Sequence, residues 1–288
     1  MKYEMSLHAP DIDLQSTLID SAQCFYWHQA EDCFWTVMRA ETDAPAPFYI
    51  AKVGDNVCIG SDAPLNEAFW HDYFDMDRDY AALPQKFGWH DKMAAALRAA
   101  EGLRVLRQPA WDTLLSFILS ANNNVGRIRT LVAALSRNFG TPVQTRYGTA
   151  YAIPTAEQLN LATEAELRAL GCGYRAPYLT ETSARVANGF DLEALRNVPY
   201  EEAHQALTGL RGVGDKVADC VCLFGLHHSC AFPVDVWVER LLIAWFGMEK
   251  KSRKAMAKQA MALLGDDAGI IQQYLFHCAR LGLLGELK

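Results

Sequence analysis

The segment Leu207-Thr-Gly-Leu-Arg-Gly-Val-Gly-Asp-Lys-Val-Ala-Asp-Cys220 holds the densest chemistry in the chain. A helix is expected to end at Gly209, and a tight turn, Arg211 to Gly214, leads straight into a second helix. Gly212 and Gly214 permit left-handed backbone and the close approach of another chain. The N–H groups that open the second helix have no intrahelical acceptor, so they suit a phosphate without any basic excess. On turn chemistry by itself the segment also fits an ordinary helix–turn–helix connection with a glycine cap. Lys216 falls in the first turn of the second helix. A helix N-terminus disfavours an ammonium there, and lysine is a nucleophile only as the free amine. Nineteen residues on, Asp235 follows Pro233-Val234 and opens an apolar helical run. It reads as an N-cap, and a carboxylate fixed in that place can stabilise a developing cation or assist proton transfer.

A second cluster is Asn122-Asn123-Asn124, followed by Arg127, between two expected helices. Three amides in a row offer donors and acceptors to the edges of bases. Their plainer use is a polar loop.

Lys216 with its glycine turn, followed by Ala231-Phe-Pro-Val-Asp-Val-Trp237, resembles the two-part signature of the helix-hairpin-helix DNA glycosylases. The resemblance implies that Lys216 attacks C1′ of a damaged nucleotide and that Asp235 completes the catalytic pair. The Asn run with Arg127 is similar to that of the 8-oxoguanine DNA glycosylases within that superfamily. It implies that Asn122, with Asn123 beside it, fills the gap left by an extruded base, while Arg127 contacts the opposite cytosine. In Leu170-Gly-Cys-Gly-Tyr-Arg-Ala-Pro-Tyr178, Tyr174 resembles the family's wedge into the duplex and Arg175 its second cytosine-reading arginine. An inserted aromatic offsets the cost of unstacking, and flipping a base costs a few kcal/mol. Cys220, one helical turn beyond Lys216, and Phe276 are implied to sandwich the lesion, with Gln272 reading its Watson–Crick edge. Ser21-Ala-Gln-Cys-Phe-Tyr-Trp27 looks like the motif in which a glycine carbonyl accepts the N7 hydrogen of 8-oxoguanine. Guanine has an acceptor at N7. Ala22 stands in that glycine's place, which keeps the carbonyl but narrows the backbone. Trp237 stands where the family usually has histidine.

The elements that must hold these residues follow a simple order. Cys33 to Arg39, Phe48 to Val53 and Asn56 to Ile59 read as short strands with turns between them, including Gly54-Asp55. From about Pro64 helical patterns take over. Helices are expected over 111–121, 125–139, 155–170, 175–188, 200–207, 213–226, 235–246, 252–264 and 268–281. The class is therefore α+β; the resemblance implies an N-terminal antiparallel sheet domain with flanking helices, residues 1–100, followed by a mostly α-helical two-part HhH-GPD glycosylase fold, 101–288, that carries the DNA-binding cleft.

Composition bounds the rest. The chain has 288 residues, 51% hydrophobic and 21% charged, so it buries a sizeable core. Its net charge of −7 argues at first against a nucleic-acid partner. Residues 1–100 carry seven basic and sixteen acidic side chains, net −9, whereas 101–288 carry twenty and eighteen, net +2. The acidic third is expected to face away from phosphates, with modest nonspecific binding that weakens in salt. The eight cysteines show no C-x-x-C pair, so no metal site is expected. No signal peptide or membrane span is read, and a cytoplasmic protein follows as the expectation, nucleoid-associated if bacterial.

The resulting expectation is a monomeric, cofactor-independent glycosylase and AP lyase acting on duplex DNA that contains 8-oxoguanine opposite cytosine. Two alternatives stand beside it. One is a glycosylase of the same superfamily for another damaged base; the absence of the four-cysteine cluster of its iron–sulfur members and the presence of Arg127 and Arg175 speak against it. The other is a non-catalytic helix-hairpin-helix module, against which Lys216 and Asp235 weigh together.

Overall fold

A computed structural model describes residues 1–40, 42 and 44–285. Strands β1 (Tyr3–His8), β2 (His28–Gln29), β3 (Phe34–Met38), β4 (Ala46–Val53) and β5 (Asn56–Ser61) form an antiparallel sheet in the order β1-β5-β4-β3-β2. The β4–β5 turn is the expected Gly54-Asp55, with Gly54 at φ +58°. Phe48 and Ile50 on β4 and Val57 and Ile59 on β5 are buried, and Trp70 of α1 (Glu67–Tyr73) packs edge-on against Phe48. Each such large apolar side chain stabilises the fold by roughly 1.5–3 kcal/mol. Strand β1 was not among the expected strands. It lies at the sheet edge, and of its six residues Leu7 is the buried one, so it lacks a strong apolar pattern.

Helices α2 (Leu83–Phe87) and α3 (Asp91–Ala99) complete the first region. Then follow α4 (Ala110–Ser120), α5 (Val125–Phe139), α6 (Ala156–Asn160), α7 (Glu164–Ala169), α8 (Ala176–Ala187) and α9 (Tyr200–Thr208). The chain continues through α10 (Asp215–Phe224), α11 (Val236–Phe246), α12 (Arg253–Leu264) and α13 (Ala268–Leu281). The single helix expected over 155–170 is two. Thr155 with Gln158 and Thr163 with Glu166 each form a capping box, and each box starts its own helix. The helical region also contains an unexpected hairpin, β6 (Pro142–Thr145) with β7 (Gly148–Tyr151). Its turn residue Tyr147 packs on Trp35 and Tyr49, so the hairpin leans on the N-terminal sheet.

The last helix returns to the first region. Tyr274 donates to the Leu103 carbonyl at 2.7 Å, and Gln273 donates to the Ser21 carbonyl at 2.8 Å. This docking sets α13 beside the turn that carries Ala22. Among the described residues no helix is long and apolar enough to cross a membrane.

Candidate active site

A cavity of about 870 Å³ gathers residues from both ends of the chain. Ala22 comes from the N-terminal turn, Asn122 and Asn123 from the α4–α5 loop, and Gly212, Gly214, Lys216 and Cys220 from the hairpin. Asp235 comes from the start of α11, and Gln272 and Phe276 from α13. Ten of the thirteen residues read as functional line this cavity, and Tyr174 joins its rim by donating to the Ala121 carbonyl beside Asn122.

The hairpin is built as its glycines require. Gly212 sits at φ +83°, and a Cβ there would come within 2.3 Å of the Tyr178 ring. Gly214 caps α10 at φ −88°, ψ 178°, which any residue adopts, with open space where a side chain would stand. The expectation that both glycines support a left-handed turn is therefore corrected at Gly214. Its contribution is an uncovered helix N-terminus, where the first N–H groups lack intrahelical acceptors. Asp215 lies in that first turn, and Lys254 offsets its charge at 3.0 Å.

Lys216 is half-buried. Its Nζ donates to Ser120 Oγ at 3.1 Å and lies 4.9 Å from the centre of the Phe117 ring. Ser120 and Phe117 escaped sequence reasoning, although both belong to the helix that leads into the Asn run. One turn along α10, Cys220 is 3% exposed, and burial pushes its thiol up to about 12, with Lys216 opposing the shift. The thiol is thus neutral near pH 7 and presents an inert, polarizable wall. Asp235 caps α11: its Oδ1 accepts from the Val238 N–H at 2.8 Å.

On α13, otherwise mostly buried, Phe276 is partly exposed to the cavity. Gln272 is 4% exposed, and its Nε2 donates to the Pro233 carbonyl at 3.2 Å. Its Oε1 is buried without a hydrogen-bond partner. An unpaired buried acceptor costs about 1–3 kcal/mol, and Gln272 lines the cavity. Ala22 adopts φ +57°. Family glycine would be unstrained there, whereas alanine in the left-handed region costs roughly 1–2 kcal/mol. Across the cavity, no group of three or more His, Cys, Asp or Glu among the described residues could hold a metal ion.

The loop between α4 and α5 divides its three amides. Asn123 Nδ2 donates to the Leu119 carbonyl at 3.1 Å, and Asn124 caps α5 by accepting from the Arg127 N–H at 2.9 Å. Asn122 sits at φ +49°, exposed, with a side chain that makes no hydrogen bond within the described residues. Tyr174 is 46% exposed, its hydroxyl donating to the Ala121 carbonyl at 2.9 Å, so it is no core aromatic. Arg127 is exposed and donates to the Gly171 carbonyl at 3.2 Å. Arg175 differs from expectation: it is 6% exposed, and its guanidinium donates to the carbonyls of Ala121 and Asn122. In this arrangement it fixes the loop that carries Asn122 instead of offering free donors to a base. Trp237 is 47% exposed beside Asp235, with Arg240 packed over its ring.

Known proteins share both stretches of the sequence and the fold. Residues 4–114 match the 8-oxoguanine DNA glycosylase N-terminal domain, and residues 115–265 match the HhH-GPD superfamily of base excision DNA repair proteins. A Saccharomyces cerevisiae protein named N-glycosylase/DNA lyase is 44% identical over 164 residues, 52% of this chain. That stretch spans 43% of the yeast protein, less than half its length. A Methanothermobacter thermautotrophicus protein named probable N-glycosylase/DNA lyase is 31% identical over 236 residues, 75% of this chain and 74% of that protein. The fold superposes on the Clostridium acetobutylicum 8-oxoguanine glycosylase/lyase, solved with double-stranded DNA containing cytosine opposite 8-oxoG. The TM-score is 0.87, with 30% identity over 98% of this chain and 100% of that one. The chain belongs to the 8-oxoguanine DNA glycosylase family, within the HhH-GPD superfamily of base excision DNA repair proteins.

Proposed function

We propose that the protein excises 8-oxoguanine from duplex DNA, preferentially opposite cytosine, and then cuts the strand as an AP lyase. The carrying observation is the meeting of Lys216, the neutral Cys220 wall, Phe276 and the unpaired Gln272 Oε1 in one cavity. An oxidised purine stacks between a thiol and a ring, and its N1–H or amino group satisfies the glutamine oxygen. The N7–H, which guanine lacks, suits the Ala22 carbonyl.

In this reading the Lys216 amine attacks C1′ as the C1′–N9 bond breaks. The electron pair leaves with the base, which takes up a proton, and the lysine loses one. Asp235 stabilises positive charge developing on the sugar. Opening of the sugar ring gives a Schiff base; loss of a C2′ proton then expels the 3′ phosphate. Asn122 and Tyr174 occupy the space in the duplex that the flipped nucleotide leaves. Arg127 reaches the opposite cytosine from the surface, and Arg175 joins it only by exchanging its loop carbonyls for the base.

The test is a duplex with one 8-oxoguanine placed opposite each of the four bases in turn. The reading expects strand cleavage, fastest opposite cytosine. Equal rates opposite all four bases remove the roles given to Arg127 and Arg175. Binding without cleavage, or release of a different base, overturns the function.

A further inference from the structure

We infer that Arg129, Gln273 and Arg280 form a clamp that aims the lesion-reading carbonyl of Ala22 and thereby sets selectivity for 8-oxoguanine over guanine. The inference rests on the function proposed above and adds three positioning residues that touch no base.

Three consecutive backbone carbonyls before Ala22 are each held by a long polar side chain from elsewhere. The Ile19 carbonyl accepts from Arg129 Nη2 of α5 at 2.6 Å. The Asp20 carbonyl accepts from Arg280 Nη2, and the Ser21 carbonyl from Gln273 Nε2 at 2.8 Å, both from α13. The residue after Ala22 is locked as well. Gln23 donates to the Thr17 and Arg104 carbonyls at 2.9 and 2.8 Å, and its own carbonyl accepts from Gln108 at 2.8 Å. Between these fixed flanks, the Ala22 carbonyl accepts no hydrogen bond among the described residues, and Ala22 lines the cavity.

The two arginines make this more than loop packing. Neither Arg129 nor Arg280 has a carboxylate within ion-pair distance among the described residues, and the Nε of each is buried without a partner. Burial pushes the Arg280 guanidinium below its ordinary range. Two partly buried guanidiniums, with the Asp20 carboxylate acting on one of them, are a costly means for a turn that needed only to be covered. They are effective for a turn that must hold one orientation, because preorganised groups need not reorganise when the ligand arrives. The same restraint keeps Ala22 at a φ of +57°, a conformation that alanine leaves unless its neighbours forbid it.

The test uses Arg129→Met, Arg129→Lys and Gln273→Leu in the full chain, each checked for an unchanged melting temperature. Two substrates are compared: a duplex with 8-oxoguanine opposite cytosine, and a duplex with a preformed abasic site. Binding to an undamaged guanine duplex is measured beside them. The clamp predicts that Arg129→Met and Gln273→Leu lose about tenfold in the ratio of 8-oxoguanine to guanine recognition, as one misplaced hydrogen bond would cause. Cleavage at the preformed abasic site, where no base is read, stays within twofold, and Arg129→Lys recovers much of the ratio. A folded Arg129→Met and Gln273→Leu pair with wild-type selectivity overturns the clamp and leaves the proposed function standing. Equal losses on both substrates overturn it too, since they mark a general structural role. A wild-type protein that cleaves the abasic duplex but never the 8-oxoguanine duplex overturns both.

Discussion

The Lys216 amine donates to the Ser120 hydroxyl at 3.1 Å, while that hydroxyl donates in turn to the Phe117 carbonyl at 2.7 Å. The last residue of α4 therefore orients the Lys216 amine of α10, and it does so next to the loop that carries Asn122. Lys216→Gln is expected to abolish the borohydride-trapped adduct with damaged DNA. Ser120→Ala keeps the adduct but slows single-turnover excision about tenfold, the effect of one positioning hydrogen bond. An unchanged single-turnover rate in Ser120→Ala would remove Ser120 from that role.

The two hairpin glycines separate folding from binding. Gly212→Ala places a Cβ against the Tyr178 ring at a positive φ, and about 2 kcal/mol or more of stability is expected to go. Gly214→Ala meets open space at an ordinary φ and loses less than about 1 kcal/mol, the usual difference at an N-cap. Its effect is instead a several-fold weaker affinity for DNA, since a methyl group then covers the helix N-terminus. Denaturant melts and a binding titration at fixed salt distinguish the pair.

At Ala22 the usual direction of an alanine-to-glycine exchange is reversed. Elsewhere the exchange costs roughly 0.5–1 kcal/mol. Here the relief of the left-handed backbone offsets it, and Ala22→Gly is expected to be neutral or up to about 1 kcal/mol more stable. Ala22→Val loses about 2 kcal/mol, because a β-branched residue tolerates this region least. A clear drop in melting temperature for Ala22→Gly contradicts the strain.

Asp219, 4% exposed behind the hairpin, predicts a pH effect. Burial pushes its carboxyl up to about 7, and the Tyr200 hydroxyl, donating at 2.6 Å, works against that shift. The folded state therefore holds a proton that the unfolded state releases near pH 4. The associated stability is complete below pH 4 and is lost as pH rises through about 7. Asp219→Asn mimics the protonated form, so its stability relative to wild type should rise by about 2 kcal/mol between pH 5 and pH 8. Parallel melting curves for the two proteins from pH 5 to 8 would refute this.

Much of the site is legible in the sequence because its parts carry residue-type marks. Glycines mark the hairpin, Asp235 marks an N-cap, and the apolar periods of α5 and α13 set their bounds without error. What escaped is instructive in the same terms. Strand β1 is an edge strand with little burial, and the β6–β7 hairpin gains its apolar cover only by resting on Trp35 and Tyr49. The two capping boxes were present in the sequence, but the apolar run across residues 155–170 outweighed them. Arg129, Gln273 and Arg280 were invisible because their partners are backbone carbonyls. Any residue supplies a carbonyl, so nothing in the partner's identity announces the contact.

The docking of α13 onto the first region has an entropic consequence. The Gln273 to Ser21 bond joins residues 252 positions apart, among the most distant contacts in the chain. Closing a loop of that length carries a large entropy cost, which the packing of α13 must offset. The wall of the cavity that α13 supplies is therefore the part most remote in sequence from the turn it meets. A chain cut before residue 268 lacks Gln272, Gln273, Phe276 and Arg280, and with them one whole wall of the cavity.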